Sequence, residues 1–288
     1  SSPKTSMTLY RKLHAADSAQ LLTPLGKQLM KLTDYVIDAS RNRWGALDSL
    51  GMAEQRGIAS RMWRAYPRLF DGQNVNAISS YSPRCVMSMY EFTHQLDRLN
   101  NTVELNTASG HRYSRLMRPF DLDQEYIDWV KTDAWKAPYD MLFQTTIPAA
   151  PARRLVKGQL SNEEAMDLSW DAYRVLMGLP AMGLEMTIQQ YFTKEELNAL
   201  WGCENLRHYL VRTASTLSAE PALIASALLA NLIETTDIAA RGENTAAVQL
   251  RFGHAETLMP LLSLMRLPGC YYICLLYTSD AADEARSV

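Results

Sequence analysis

Two short β-like runs, each breaking directly into a helix, constrain this chain more than any other feature. The first lies in VNAISSYSPRCVMSMYEF, the second in RFGHAETLMPLLSLM and the residues just before it. In the first, Val75–Ser80 is the strand-like run, and Pro83–Leu96 has helical composition behind Ser82 as cap. In the second, β composition over Ala246–Phe252 gives way to a helical pattern after Gly253. A further short strand is expected over Val103–Asn106, before the turn at Gly110. Strands alternating with helices build an α/β core. From Phe120 to about Ala240 the pattern is almost wholly helical, with capping boxes at Ser161/Glu164 and Thr193/Glu196 and the Pro-rich stretch IPAAPARR read as a loop. The fold class expected is therefore α/β with an inserted, mostly α-helical domain: residues 1–118 as the first part of the core, 119–245 as the insertion, and 246–273 as the second part.

Local signals support further helices. In LLTPLGKQLMKLTDYVIDA, Thr23 reads as N-cap and Pro24 as the first helical residue. In LDSLGMAEQRGIASRMWRAYPRLF, Asp48 reads as N-cap, with Met52, Ile58, Met62 and Leu69 as a buried stripe. PALIASALLANLIETTDIAA reads as a buried helix too interrupted by polar residues to span a bilayer, and no membrane span is expected elsewhere. The first residues, SSPKTSMTLYRK, hold no apolar run like that of a signal peptide.

A net charge of −2 without a Lys/Arg cluster argues against nucleic acid as a partner and leaves an anionic small molecule dependent on a local positive pocket. Cys85, Cys203, Cys270 and Cys274 show neither CxxC spacing nor a histidine at zinc-ligand distance, so no metal is expected. There is no Gly-rich nucleotide loop and no GxSxG elbow.

The two strand-to-helix junctions hold the candidate functional residues, because ligands of α/β sheets collect beyond the carboxyl ends of strands, where helix N-termini offer free N–H groups. Arg84 stands in the first turn of a helix, where a cation loses roughly 0.3–1 kcal/mol to the helix dipole unless an anion joins it. Two readings follow: a phosphate clamp, suited to a guanidinium fork, or a pairing with a surface carboxylate. His254 and Glu256 share a pocket only if the turn between strand and helix is irregular, which Gly253 would ease. In one reading His254 holds a phosphate oxygen and Glu256 protonates a leaving oxygen. In the other, Glu256 complements a helix N-terminus and His254 packs or caps. His94 and His208 read as surface or core packing residues. His111, Arg112, Arg115 and Arg118, like Arg153, Arg154 and Lys157, could reach an anionic substrate but read first as solvated charged faces, and Trp63, Trp129 and Trp170 read as core.

RFGHAETLMPLLSLM resembles the HAE segment of the multiple inositol polyphosphate phosphatases, a branch of the histidine acid phosphatases in which HAE replaces a His-Asp pair. VNAISSYSPRCVMSMYEF is similar to the strand and helix of that family that bear a phosphate-binding Arg, which corresponds to Arg84. LLTPLGKQ, LGMAEQRG and RAYPRLF fit the family's order. The resemblance is strongest over Leu21–Leu96 and Arg251–Met265, and topological over the helical middle. It implies a histidine-phosphatase-like α/β core and hydrolysis of inositol polyphosphates such as phytate through a phosphohistidine. Arg84 and His254 would bind phosphate and Glu256 would be the proton donor, with neither metal nor cofactor. It also implies a small anionic phosphorylated substrate and a periplasmic or secreted location.

The family's nucleophile is the His of an Arg-His-Gly motif. His14, His94, His111, His208 and His254 are the five histidines here, and none stands in that context. SSPKTS would fall just after the motif in a complete homologue, so the chain is expected to be incomplete at its N-terminus and unable to form the phosphohistidine. CLLYTSDAADE resembles the translated read-through of a transposon-based sequencing adaptor, which marks residues 274–288 as a non-native tail. Two alternatives remain open: an acid phosphatase for sugar phosphates, and a non-catalytic phosphate-binding fragment.

Overall fold

The computed structural model describes residues 3–243 and 246–266. Cys270, Cys274 and the tail read as non-native lie outside the described residues. In chain order the elements are α1 (Pro3–Ser18), α2 (Pro24–Ser40), α3 (Ser49–Ala65), β1 (Asn74–Ser79), α4 (Pro83–Leu99), β2 (Glu104–Ser109), α5 (Ser114–Met117), α6 (Gln124–Lys131), α7 (Asp133–Thr146), α8 (Ala150–Leu155), α9 (Asn162–Leu176), α10 (Lys194–Arg212), α11 (Glu220–Leu223), α12 (Ser226–Ala240), β3 (Val248–Phe252) and α13 (Ala255–Met265). The fold is α/β, with helix predominating. Several boundaries follow from caps visible in the sequence. Thr23 accepts from the Gly26 amide and Asp48 from the Gly51 amide, while Ser161/Glu164 and Thr193/Glu196 each form the reciprocal pair of a capping box.

The chain divides into two compact units, Ser1–Trp44 with Lys136–Arg207 and Gly45–Trp135 with His208–Val288. These limits differ from 1–118, 119–245 and 246–273: α1 and α2 group with the helical segment, and residues on both sides of that segment group with the sheet.

In the first unit, α1 packs on α2 and α9, and α8 on α9 and α2. Leu9, Leu13, Leu29, Leu155, Ala172 and Leu176 are fully or almost fully buried there. Lys12 Nζ lies 2.6 Å from Asp171 Oδ2. The stretch IPAAPARR is a loop only over residues 147–149. Ala150–Leu155 is helical, because Pro151 falls in the first turn, where its missing N–H costs nothing, and the Ala152 amide donates to Ser169 Oγ at 3.1 Å. Arg154 is also not a solvated cation: it makes a forked pair with Glu196 and donates to the Tyr191 carbonyl. At the end of α8, the Thr23 amide donates to the Leu155 carbonyl at 3.0 Å. There Gly26 is required, since a Cβ on it would stand 2.2 Å from that carbonyl oxygen. Gly26→Ala is accordingly expected to cost roughly 1–3 kcal/mol of stability, read as a lower urea midpoint with an unchanged slope.

In the second unit the three strands form one parallel sheet in the order β2-β1-β3. One face of β1 joins a core of Ala59, Phe70, Val75, Phe92, Leu96 and Val248, contributed by α3, α4 and the sheet. The other face presents Ile78 to Met117, Ala225, Leu228 and Leu261 on α5, α12 and α13. With helices on both faces, even a three-stranded sheet has a dry interior. The buried stripe expected on α3 is corrected: Met52, Ile58 and Met62 are only partly buried, Ala59 is the buried side chain, Leu69 is 44% exposed, and Phe70, beyond the 3-10 turn Pro67–Leu69, is buried instead. Glu220–Ala240 also departs from expectation. Its 21 residues include an 18-residue window of mean hydropathy 1.4 and are long and apolar enough by length and composition to cross a membrane. Only its first half is buried, at Ala222, Ile224, Ala225 and Leu228, while Ile233 is exposed. It packs against α5, α6 and α13, and its Asn231 and Thr235 accept from Arg251 of β3.

Candidate phosphate-binding site

The register of the sheet brings the two junctions together. Ser79, the last residue of β1, pairs with Phe252, the last of β3, and the Ser80 amide donates to the Phe252 carbonyl at 3.1 Å. Both strands therefore release the chain at the same level on neighbouring positions, and α4 and α13 begin side by side at the carboxyl edge of the sheet. His254 is the N-cap residue of α13, in extended conformation, and is 7% exposed. Gly253 does not adopt a positive φ. What turns the chain at His254 is the switch from strand to helix itself, clamped by Cys85 Sγ donating to the Gly253 carbonyl (2.9 Å) and Thr257 Oγ1 donating to the Met117 carbonyl (2.9 Å).

Arg84 reaches across from α4, with its Nη2 2.9 Å from His254 Nδ1. Among the described residues it forms no ion pair, so it is not a cation matched to a surface carboxylate. On the other side of the ring, Ser80 Oγ lies 2.9 Å and Arg118 Nη1 3.3 Å from Nε2. Burial, then the charges of Arg84 and Arg118, push His254 down to about 4, against the opposing pull of Glu256 and Asp121. Glu256, in the first turn of α13, is close enough for its charge to act on His254 and lies 3.8 Å from Arg212 Nη2. Arg212 in turn donates to the Tyr126 hydroxyl.

No protein-family model and no curated protein matches the sequence. Solved structures do match in three dimensions. The multiple inositol polyphosphate phosphatase of Bifidobacterium longum, in its complex with inositol hexasulfate, aligns with a TM-score of 0.73 at 15% identity, over 93% of this chain and 72% of that one. Its phosphate complex aligns with a TM-score of 0.72 over 91% and 70%. The phytase from D. castellii aligns with a TM-score of 0.59 at 16% identity, over 91% of this chain and 58% of that one. The chain has the fold of these phosphatases.

Within that fold, Arg84, His254 and Glu256 come from segments far apart in sequence to one edge of the sheet. Arg118 joins them and is not part of a solvated face. Its side chain is 18% exposed, held by Asp121 (Nε to Oδ2, 2.7 Å) and stacked over Tyr81 and Phe120 at 5.0 and 4.9 Å. The sequence carries a partial signal for this, an Arg followed at short range by an aromatic and an acid in RPFD, but the sheet register that aims it at His254 is not local. His111 stacks on Tyr81 at 4.0 Å, and His94 is exposed.

Proposed function

We propose that the protein is a phosphomonoesterase acting on inositol polyphosphates such as phytate. In this reading Arg84, Arg118 and His254 hold the transferring phosphoryl group and Glu256 protonates the departing inositol oxygen. The observation that carries it is a surplus of donors. Arg84 can only donate, so it requires a bare Nδ1; a neutral imidazole then bears its proton on Nε2, where Arg118, also only a donor, faces it at 3.3 Å. One ring cannot accept from both guanidinium groups. An oxyanion of several acceptor oxygens satisfies both, and a positively charged corner beside two helix N-termini favours such a guest. The resemblance of the HAE segment, and fold neighbours solved with inositol hexasulfate and with phosphate, support inositol polyphosphates over sugar phosphates.

Turnover through a phosphohistidine needs an Arg-His-Gly histidine, which this sequence does not contain. On this reading the chain by itself holds phosphate without releasing it from an ester. Calorimetric titration with inorganic phosphate tests the site directly. One phosphate per chain is expected, with Arg118→Ala weakening it about tenfold or more, the worth of a hydrogen bond to a charged group. A chain that stays folded and takes up no phosphate contradicts the proposal.

A further inference from the structure

We propose that Ser80 is a positioning residue that sets the tautomer of His254, keeping the proton on Nε2 and a bare Nδ1 toward the bound oxyanion, so that anion binding draws a proton onto Nδ1. The inference rests on the phosphate-binding role proposed for this corner and extends it to how the imidazole is made ready.

The two arginines make opposite demands on the ring. Arg84 Nη2, 2.9 Å from Nδ1, requires the Nε2–H tautomer, whereas Arg118 Nη1, 3.3 Å from Nε2, requires the Nδ1–H one. Ser80 decides between them because its oxygen, 2.9 Å from Nε2, can accept. That oxygen is fixed: Ser80 is fully buried and its Oγ accepts from the Ser82 amide at 3.3 Å. Only the Nε2–H tautomer satisfies both of the 2.9 Å contacts, with Arg84 donating to a bare Nδ1 and Oγ receiving Nε2–H. Cys85 does not choose between the tautomers, since its sulfur is 3.8 Å from Nδ1 and 3.7 Å from Nε2 and its thiol donates to Gly253.

The charged and titratable groups around the ring are Arg84 and Cys85 from α4, Arg118 from the end of α5, Asp121 beyond it, and Glu256 from α13. When an oxyanion engages both guanidinium groups, Arg84 leaves Nδ1, and the negative charge favours a proton there. The imidazolium then donates from Nδ1 to the anion and from Nε2 to Ser80, with the proton supplied by the buffer.

Sulfate is the suitable probe, because it has the geometry of phosphate and no proton of its own to exchange near neutral pH. Nitrogen NMR of the ligand-free chain at pH 7 is expected to show His254 with a pyrrole-type Nε2 and a pyridine-type Nδ1. Sulfate titrations at pH 6 in two buffers of different ionisation enthalpy are expected to show proton uptake approaching one per sulfate. Ser80→Ala is expected to mix the tautomers and weaken sulfate about tenfold, with Ser80→Thr recovering the wild-type nitrogen shifts. A wild-type Nδ1–H tautomer, or sulfate binding without proton uptake, overturns the role of Ser80 while the anion site stands. A folded wild-type chain that binds no sulfate overturns both.

Discussion

Glu256→Gln is expected to lower phosphate release from phytate at least a hundredfold, in a form of the protein that carries the Arg-His-Gly segment, while KM stays nearly constant. The amide keeps the size of the side chain and its place beside Arg212 but has no acidic proton, so only the step that expels the inositol alkoxide suffers. A nitrophenyl phosphate, whose leaving group departs without help, should therefore recover most of the lost rate in the Gln variant. Arg84→Ala is expected to be equally damaging on both substrates, because a charge that stabilises the transferring group is needed whatever the leaving group. If Glu256→Gln loses as much rate on the activated ester as on phytate, Glu256 is not the acid.

What was legible in the sequence is what local chemistry encodes. Thr23, Asp48, Ser161 and Thr193 mark helix starts because a cap bonds within one turn. The two strand-to-helix junctions were readable for the same reason, and they carry Arg84, His254 and Glu256. IPAAPARR misled because Pro at the first turn of a short helix has the composition of a loop, and only the Ser169 and Thr23 contacts from distant segments reveal the difference. Ser80 was missed, and Arg118 was read first as part of a solvated face, because their partner, His254, lies in a distant segment of the chain. The register that pairs Ser79 with Phe252 is a property of the sheet rather than of either segment. Gly253, read as the residue that permits the turn, proved ordinary in φ, and the side chains of Cys85 and Thr257 fix the junction instead.

The same crowding of donors predicts how the chain responds to acid. His254 sits near 4 in the folded protein against 6.5 when free. Its folded value is depressed, so between about pH 6.5 and pH 4 the unfolded chain binds a proton that the folded chain refuses, and stability must fall as pH falls through that window. A displacement of this size corresponds to roughly 3 kcal/mol. Other groups contribute differently: Glu164 and Glu196 are lowered and lose their stabilisation only below about their ordinary value of 4.5, whereas Asp171, raised by burial, changes stability in the opposite sense. Subtracting the urea-unfolding profile of His254→Gln from that of the wild-type chain isolates the imidazole, since Gln fills similar space and does not titrate. The difference, wild type minus variant, should be flat above pH 7 and fall by roughly 3 kcal/mol toward pH 4. Saturating sulfate should shrink it, because an anion between the arginines removes the conflict that keeps the ring neutral. A difference profile that does not vary with pH would mean that the imidazole is free to protonate in the folded chain, and that Arg84 and Arg118 do not converge on it in solution.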